Sequence, residues 1–322
     1  FLMHKKEDGG KYITCGVCII KDQDNGVNMC IHRLMIIGKD KLVGRIIEER
    51  GTDIALKKNR KLEIAICIGN SMPVLLAAAT SLEKDKNELS MANAFENTHL
   101  VKCKTVDLEV PANCEIVLEG EFTDELVDEG PFLDLTETYD IVRKQRAIKI
   151  KKITTRKNPI YQALLPGKLE HKMLMGMPKE PTIFKEVNKV CKCLDVCITL
   201  GGYSWLHAVV KIHKKNPDDG VKAIDAAFVG HKSLKQCIVV DKDIDIRDPY
   251  VVEGAIATRT QMDKDLYLFK NQSGSSLDPS GDLSSGKART TKVGIDATIP
   301  AGKCINKFKK EGYPDVDLKK YD

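Results

Sequence analysis

Two short stretches of the chain gather residue types that can hold an acid and move a proton. Glu129-Gly130-Pro131-Phe132-Leu133-Asp134 sets two carboxylates five positions apart. The Gly-Pro pair between them enforces a turn, so both can face one cavity from a tight loop. Two carboxylates in one cavity suit a division of labour between a proton donor and an anion. Asn28-Met29-Cys30-Ile31-His32-Arg33 supplies an amide and a guanidinium with the same separation. Arginine is the natural partner of a carboxylate or phosphate, because its planar fork donates two parallel hydrogen bonds. Either stretch alone also fits a solvated turn. Together they describe a carboxylate clamp, a proton donor and an oxygen-rich corner suited to a hard cation.

The elements that must carry these residues read as short strands in the first half. Residues 12–20 are β-rich and run into the turn-like Asp22-Gln23-Asp24-Asn25-Gly26. Residues 31–37 and 42–47 flank Gly38-Lys39-Asp40-Lys41 as a hairpin, which puts Arg33 in a strand. Residues 62–68, 100–108, 115–122 and 147–153 continue the pattern. Residues 88–95 form a helix, because apolar side chains recur at 89, 92 and 95 without a breaker. The second half changes rhythm. A helix over 173–190 becomes regular only after Pro178 and Pro181. Strands at 196–200, 207–212, 237–240 and 266–269 then alternate with helices at 221–229 and 250–259, as in an α/β layer. Residues 271–291, rich in Gly, Ser, Asp and Lys, read as a loop.

The 322 residues are 42% hydrophobic and 30% charged, enough for two domains with real cores, the change falling near residues 165–180. No apolar run nears the ~20 residues of a membrane-spanning helix. The chain turns charged from His4 onward, so no signal peptide is read and a cytoplasmic protein is expected. It also lacks an initiator Met and reads as cut from something longer. Eleven cysteines without regular spacing argue for a reducing compartment. Cys15 and Cys18 face opposite sides of a strand, so they are read, with Cys191, Cys193 and Cys197, as buried thiols and not as a zinc site. A net charge of +5 suits anionic small ligands and falls short of a nucleic-acid footprint. Residues 143–157 are the exception, with eight cations and no acid. They read first as a lysine-protected edge strand, and second as a funnel for phosphorylated ligands.

Taken jointly, the motifs resemble the UbiD-like decarboxylases, which use prenylated FMN. The resemblance runs from about Lys11 to Thr298 and rests on Asn28–Arg33, Gly38-Lys39-Asp40-Lys41-Leu42, Arg45-Ile46-Ile47 with Arg50-Gly51, Glu88 ahead of Ala92-Asn93-Ala94, and Glu129-Gly130-Pro131-Phe132 with Asp134. Leu165-Pro166-Gly167, Leu169-Glu170-His171-Lys172, Gly201-Gly202 and Lys292–Thr298 extend it through the second half. The resemblance implies an α+β chain: an antiparallel split-barrel-like flavin domain over residues 1–170, then an α/β domain over 171–322 that serves oligomerisation. Members carry a further N-terminal lobe, which is expected to be missing here. Two departures stand out. His32 takes the place of a common Tyr, and Glu48-Glu49 stands where many members have a metal-site His, which leaves the third protein ligand open.

Loss of CO2 from an alkene carbon leaves a carbanion that no side chain can stabilise, so an organic cofactor must carry the electrons. The resemblance implies that Arg33 holds the substrate carboxylate, that Glu129 orients Arg33, and that Asp134 exchanges the proton. It assigns Ile31, His32, Arg33, Arg45, Ile46, Ile47, Arg50 and Gly51 to the flavin. Asn28 and Glu88 fall to Mn2+ or Mg2+, with K+ as a further candidate and Lys292 as added positive charge. The second-half motifs are most similar to the family's archaeal branch, which turns trans-anhydromevalonate 5-phosphate into isopentenyl phosphate. Arg143, His171 and Lys172 are the basic residues available for that phosphate. Decarboxylation of an aromatic acid such as a hydroxybenzoate, and a non-catalytic flavin-binding subunit, stay open as alternatives. A flavin prenyltransferase as cofactor source, a homo-oligomer, no nucleic acid and no membrane span complete the expectations.

Overall fold

The first strand is buried on both faces, and the reason lies in what surrounds it. β1 (Tyr12–Asp22) pairs with β2 (Gly26–Ile36) on one side and β4 (Glu63–Ile68) on the other. With β3 (Lys41–Gly44), β7 (Ile116–Glu129) and β10 (Arg143–Thr155) these close a barrel in the order β1-β2-β3-β10-β7-β4. Cys18, Ile20, Leu34, Leu42, Ile64, Ile66, Phe122 and Ile148 fill its interior. Cys15, Val17, Ile19, Ala65 and Cys67 point outward and are covered by Val74, Leu75, Ala77, Leu89 and Ala92. Those come from α2 (Met72–Ala79) and α3 (Glu88–Phe95), and α1 (Gly51–Lys58) packs Ala55 against the interior set. Ile13 joins the interior although Cys15 faces out, because a bulge between Ile13 and Gly16 shifts the register.

The structure is a computed structural model that describes residues 2–82, 86–284, 288–309, 316, 317 and 320. It divides into two compact units: Phe1–Lys179 with Tyr203–Trp205 and Ser276–Pro279, and Glu180–Gly202 with Leu206–Ser275 and Ser280–Asp322. In the first, two small hairpins, β5 (Leu100–Lys102) with β6 (Glu109–Pro111) and β8 (Phe132–Leu133) with β9 (Tyr139–Asp140), flank the barrel strands in sequence. α4 (Leu169–Gly176) ends the described helices of this unit. The second unit holds α5 (Glu180–Val187), β11 (Lys192–Ile198), β12 (His207–His213), α6 (Asp219–Gly230), β13 (Gln236–Asp241), α7 (Pro249–Arg259), α8 (Met262–Asp265), β14 (Leu266–Ser273) and β15 (Arg289–Ala297). Its sheet runs β11-β12-β13-β15-β14, with β12, β13 and β15 parallel and the two outer strands antiparallel. Val210, Ile212, Cys237 and Val239 bury one face under α5 and α6, while Val209, Ile238, Val240 and Ile295 bury the other under α7. This is the α+β architecture the resemblance implies. No helix among the described residues is long and apolar enough to cross a membrane.

Several local expectations need correction. Residues 143–157 are no edge: β10 is a barrel strand, and its cations meet acids on neighbouring strands, as in Lys144–Asp128 (3.0 Å), Arg146–Asp124 (2.8 Å) and Lys151–Glu121 (2.9 Å). The helix expected over 173–190 is two, α4 and α5, separated by a 3-10 turn at Met177–Lys179 where Pro178 interrupts the hydrogen-bond ladder. The strand expected over 100–108 stops at Lys102. Residues 289–291, expected as loop, already belong to β15, and residues 285–287 of that loop lie outside the described set.

Candidate active site

Arg33 lies in β2, and its guanidinium is the hub of the site. It forks onto Glu129 at the end of β7, with Nε to Oε1 at 2.8 Å and Nη2 to Oε2 at 2.9 Å. Nη1 donates to Asp134 Oδ2 at 2.5 Å, and Nη2 also donates to Asp140 Oδ2 at 2.9 Å. The Phe132 ring packs 4.9 Å from the guanidinium carbon, and Tyr12 donates its hydroxyl to Glu129 Oε1 at 3.4 Å. Gly130 makes the sharp exit from β7 possible with φ +99°, a conformation that side-chain-bearing residues avoid. The chain then returns through β8 and β9, which brings Asp134 and Asp140 back over Arg33.

Electrostatics follow from this crowding. Burial works against the charge of Arg33, yet its bonds to Glu129 and the charges of Asp134 and Asp140 raise its pKa above the ordinary value. Burial likewise disfavours the Asp140 anion, but the Arg143 hydrogen bond and the Arg33 and Arg45 charges hold its carboxyl below the usual range. Asp140 thus ties three guanidinia together: Arg33, Arg143 at 2.7 Å and Arg45 at 3.8 Å. The two carboxylates of the Gly-Pro loop do not face each other, because Arg33 lies between them. His171 accepts from the Gly167 amide at 3.1 Å through Nδ1. Burial pushes its pKa down while the nearby Asp134 charge pushes it up, and burial prevails, so the ring is neutral at pH 7.

A second cluster lies toward the other end of β2. Glu88, at the start of α3, is buried and accepts the Met29 amide at 3.1 Å. It forms no ion pair among the described residues, and burial raises its pKa. A bound cation would supply the charge such a carboxylate lacks. Asn28 is the neighbour of Met29, and its amide fills the space beside Gly51, where an added Cβ would come within 2.2 Å of Oδ1. Gly51 thus packs against Asn28, and Glu48 and Glu49 are exposed. A buried carboxylate and an amide oxygen are donor types that a hard divalent cation takes, while no cluster of three or more His, Cys, Asp or Glu side chains able to hold a metal occurs among the described residues.

His32 Nε2 contacts Thr52 Oγ1 at 3.0 Å and Cys30 Sγ at 3.1 Å. Burial, opposed by its bonding and aided by the Arg45 charge, lowers its pKa to about 4. The folded state then resists protonation that the unfolded chain accepts near pH 6.5. Stability from this group is full above pH 6.5, falls as pH drops toward 4, and is flat below, up to about 3 kcal/mol in all. Urea denaturation of His32→Gln should show a shallower loss across that window than the wild type; parallel curves would contradict it.

The remaining expected residues are spread out. Ile31 is half-buried, Ile46 buried and Ile47 exposed, and Arg45 donates to the Ile46 carbonyl at 2.7 Å. Arg50 caps α1 and neighbours the half-buried Lys179, whose pKa burial and the Arg50 charge lower to about 8. Lys172 bonds Glu137 at 3.0 Å, a carboxylate it shares with Lys168. Lys292 belongs to the second unit, where it donates to the Lys232 carbonyl at 2.6 Å and lies over the Phe228 ring. Asp140 and Tyr12 were not anticipated. Nothing in the sequence marks Tyr12, whereas the Asp140–Arg143 spacing in a basic stretch was a readable signal.

The sequence matches the 3-octaprenyl-4-hydroxybenzoate carboxy-lyase Rift-related domain over residues 1–169 and the C-terminal domain of that carboxy-lyase over 172–297. The chain belongs to the UbiD family. It is therefore a carboxy-lyase of the UbiD type. Among relatives, this UbiD chain is 45% identical over 318 residues to the anhydromevalonate phosphate decarboxylase of Methanocaldococcus jannaschii, covering 97% of this chain and 75% of that one. It is 45% identical over 315 residues to the enzyme of the same name from Methanothermobacter thermautotrophicus, covering 93% and 72%. The UbiD-class enzyme HmfF from Pelotomaculum thermopropionicum, solved with FMN, superposes with a TM-score of 0.93 at 35% identity, over 99% of this chain and 73% of that one. An evolved dimeric form of it, solved with prFMN, gives 0.88 at 34% identity over 99% and 72%. A flavin is thus the cofactor class of the fold.

Proposed function

We propose that this UbiD enzyme decarboxylates trans-anhydromevalonate 5-phosphate to isopentenyl phosphate, with prenylated FMN as cofactor. The carrying observation is the Arg33 guanidinium held on Glu129 with Asp134 on its remaining nitrogen. Two archaeal relatives at 45% identity that bear the name of this activity support the substrate. When bound, the prenylated flavin supplies the electron sink that the departing CO2 requires. Arg33 binds the substrate carboxylate and fixes its direction. Glu129 takes two of the guanidinium N–H groups and so sets its plane. Asp134 delivers the proton to the carbon that CO2 leaves. Phe132 and Tyr12 keep water from the Glu129 side. The phosphate meets Arg143 and Lys172, whose acid partners Asp140 and Glu137 are each shared with a second cation, Arg45 and Lys168.

Asn28 and Glu88 would hold Mn2+ or Mg2+, with K+ as a further candidate, and the cation would offset negative charge near the cofactor. Glu88→Gln should cut retained flavin several-fold in protein co-produced with a flavin prenyltransferase; unchanged flavin absorbance would remove Glu88 from that role. We place the enzyme in the cytoplasm as a homo-oligomer, with the unit from Glu180 onward as the assembling part and no nucleic-acid partner. The deciding experiment incubates the flavin-loaded protein with trans-anhydromevalonate 5-phosphate and reads CO2 and product mass. Release from a hydroxybenzoate instead would favour the aromatic reading, and flavin loading without CO2 from any unsaturated acid would favour a non-catalytic subunit.

A further inference from the structure

A guanidinium carries five N–H groups, and those of Arg33 are almost all spent. Nε gives its one hydrogen to Glu129, Nη2 gives one to Glu129 and one to Asp140, and Nη1 gives one to Asp134. A single Nη1–H is left for a ligand. The side of the fork formed by Nε and Nη2 is closed by Glu129. The end formed by Nη1 and Nη2 cannot dock a carboxylate at two points while Asp140 takes the second Nη2–H. Asp140 is itself held firmly in that place. Arg143 and the Ile141 amide bind its other oxygen at 2.7 and 2.9 Å, and its side chain is 6% exposed.

We propose that Asp140 is a positioning residue that keeps Arg33 from gripping the substrate carboxylate with both ends of its fork. This rests on the reading of Arg33 as the substrate clamp. Its logic is that of differential binding. The carboxylate is charged in the ground state and loses that charge as CO2 departs, so a two-point grip would stabilise the ground state more than the transition state and slow the step. One N–H is enough to aim the group, and Asp140 limits Arg33 to that. Its ties to Arg45 and Arg143 keep it from swinging away when ligand enters.

A positioning role of this kind differs from a structural one in the sign of one effect. Losing a structural support weakens substrate binding, whereas freeing the second Nη2–H strengthens it. The test uses flavin-loaded wild type, Asp140→Ala and Asp140→Asn. Calorimetric titration uses two unreactive probes: 3-methyl-5-phosphooxypentanoate, which keeps the carboxylate, and 3-methylbutyl phosphate, which lacks it. Asp140→Ala also frees Arg143, so both probes should bind tighter, the carboxylate probe about fivefold more so than the phosphate-only probe, and KM and kcat should fall together, kcat by no more than the gain in carboxylate binding. Asp140→Asn retains an oxygen acceptor for Nη2, so its gain should be smaller than that of Ala. If Ala does not fold, the Asn variant still decides, since the proposal requires its kcat to fall without a rise in KM. Weaker binding of the carboxylate probe, or equal tightening for both probes, overturns the proposal. A wild type that releases no CO2 from any unsaturated acid sinks the parent reading instead, while the titrations still judge Asp140, because Arg33 can bind a carboxylate without turning it over.

Discussion

Asparagine at position 134 is expected to abolish turnover while the flavin stays bound. Asp134 is 15% exposed at its side chain and sits at hydrogen-bond distance from Arg33 Nη1, so an amide of the same shape can fill its place and accept the same bond. What disappears is the carboxyl's ability to carry a proton to the carbon that CO2 vacates. Losing a positioned acid costs on the order of 10²- to 10⁴-fold, enough to bring CO2 release to background. Flavin content should match the wild type, since among the described residues the Asp134 side chain bonds Arg33 and its own loop. CO2 release at the wild-type rate would remove Asp134 from the proton's path.

Glu129→Gln should damage both stability and activity. Glu129 is fully buried and receives two Arg33 N–H bonds together with the Tyr12 hydroxyl. A glutamine there turns an NH2 toward a guanidinium and leaves part of a buried positive charge uncompensated. Breaking a buried pair in this way costs about 3 kcal/mol, readable as a drop in urea midpoint at unchanged slope. kcat/KM should fall at least a hundredfold, because the plane of Arg33 is no longer fixed. Unchanged stability would mean that Asp134 and Asp140 balance Arg33 without Glu129.

The sequence disclosed Arg33, Glu129 and Asp134 because each sits in a short motif whose residue types state their chemistry. The spacing of Asp140 to Arg143 is local and readable, but its link to Arg33 stays hidden for a physical reason. Its tie to Arg33 spans 107 residues and exists only because β7 and β10 close the barrel, a fact no local pattern carries. The same closure explains the misread basic stretch: its acids are on β7, far away in sequence and adjacent in space. The sequence names Asn28, Glu88 and Gly51 separately, and only the fold shows Gly51 packed against the Asn28 amide, because a residue without a side chain carries no sign of its neighbour. In the second unit, β15 was masked by the polar run ahead of it, although its strand character shows in Val293, Ile295 and Ala297 once the inward face is known.

The distances along the chain carry one more consequence. Arg33 emerges from the ribosome 96, 101 and 107 residues ahead of the three carboxylates that neutralise it. Until those arrive, Arg33 has none of the carboxylate partners it meets in the fold, so this cluster depends on contacts between distant segments of the chain. The cluster around Arg33 is therefore complete only once synthesis has passed β9.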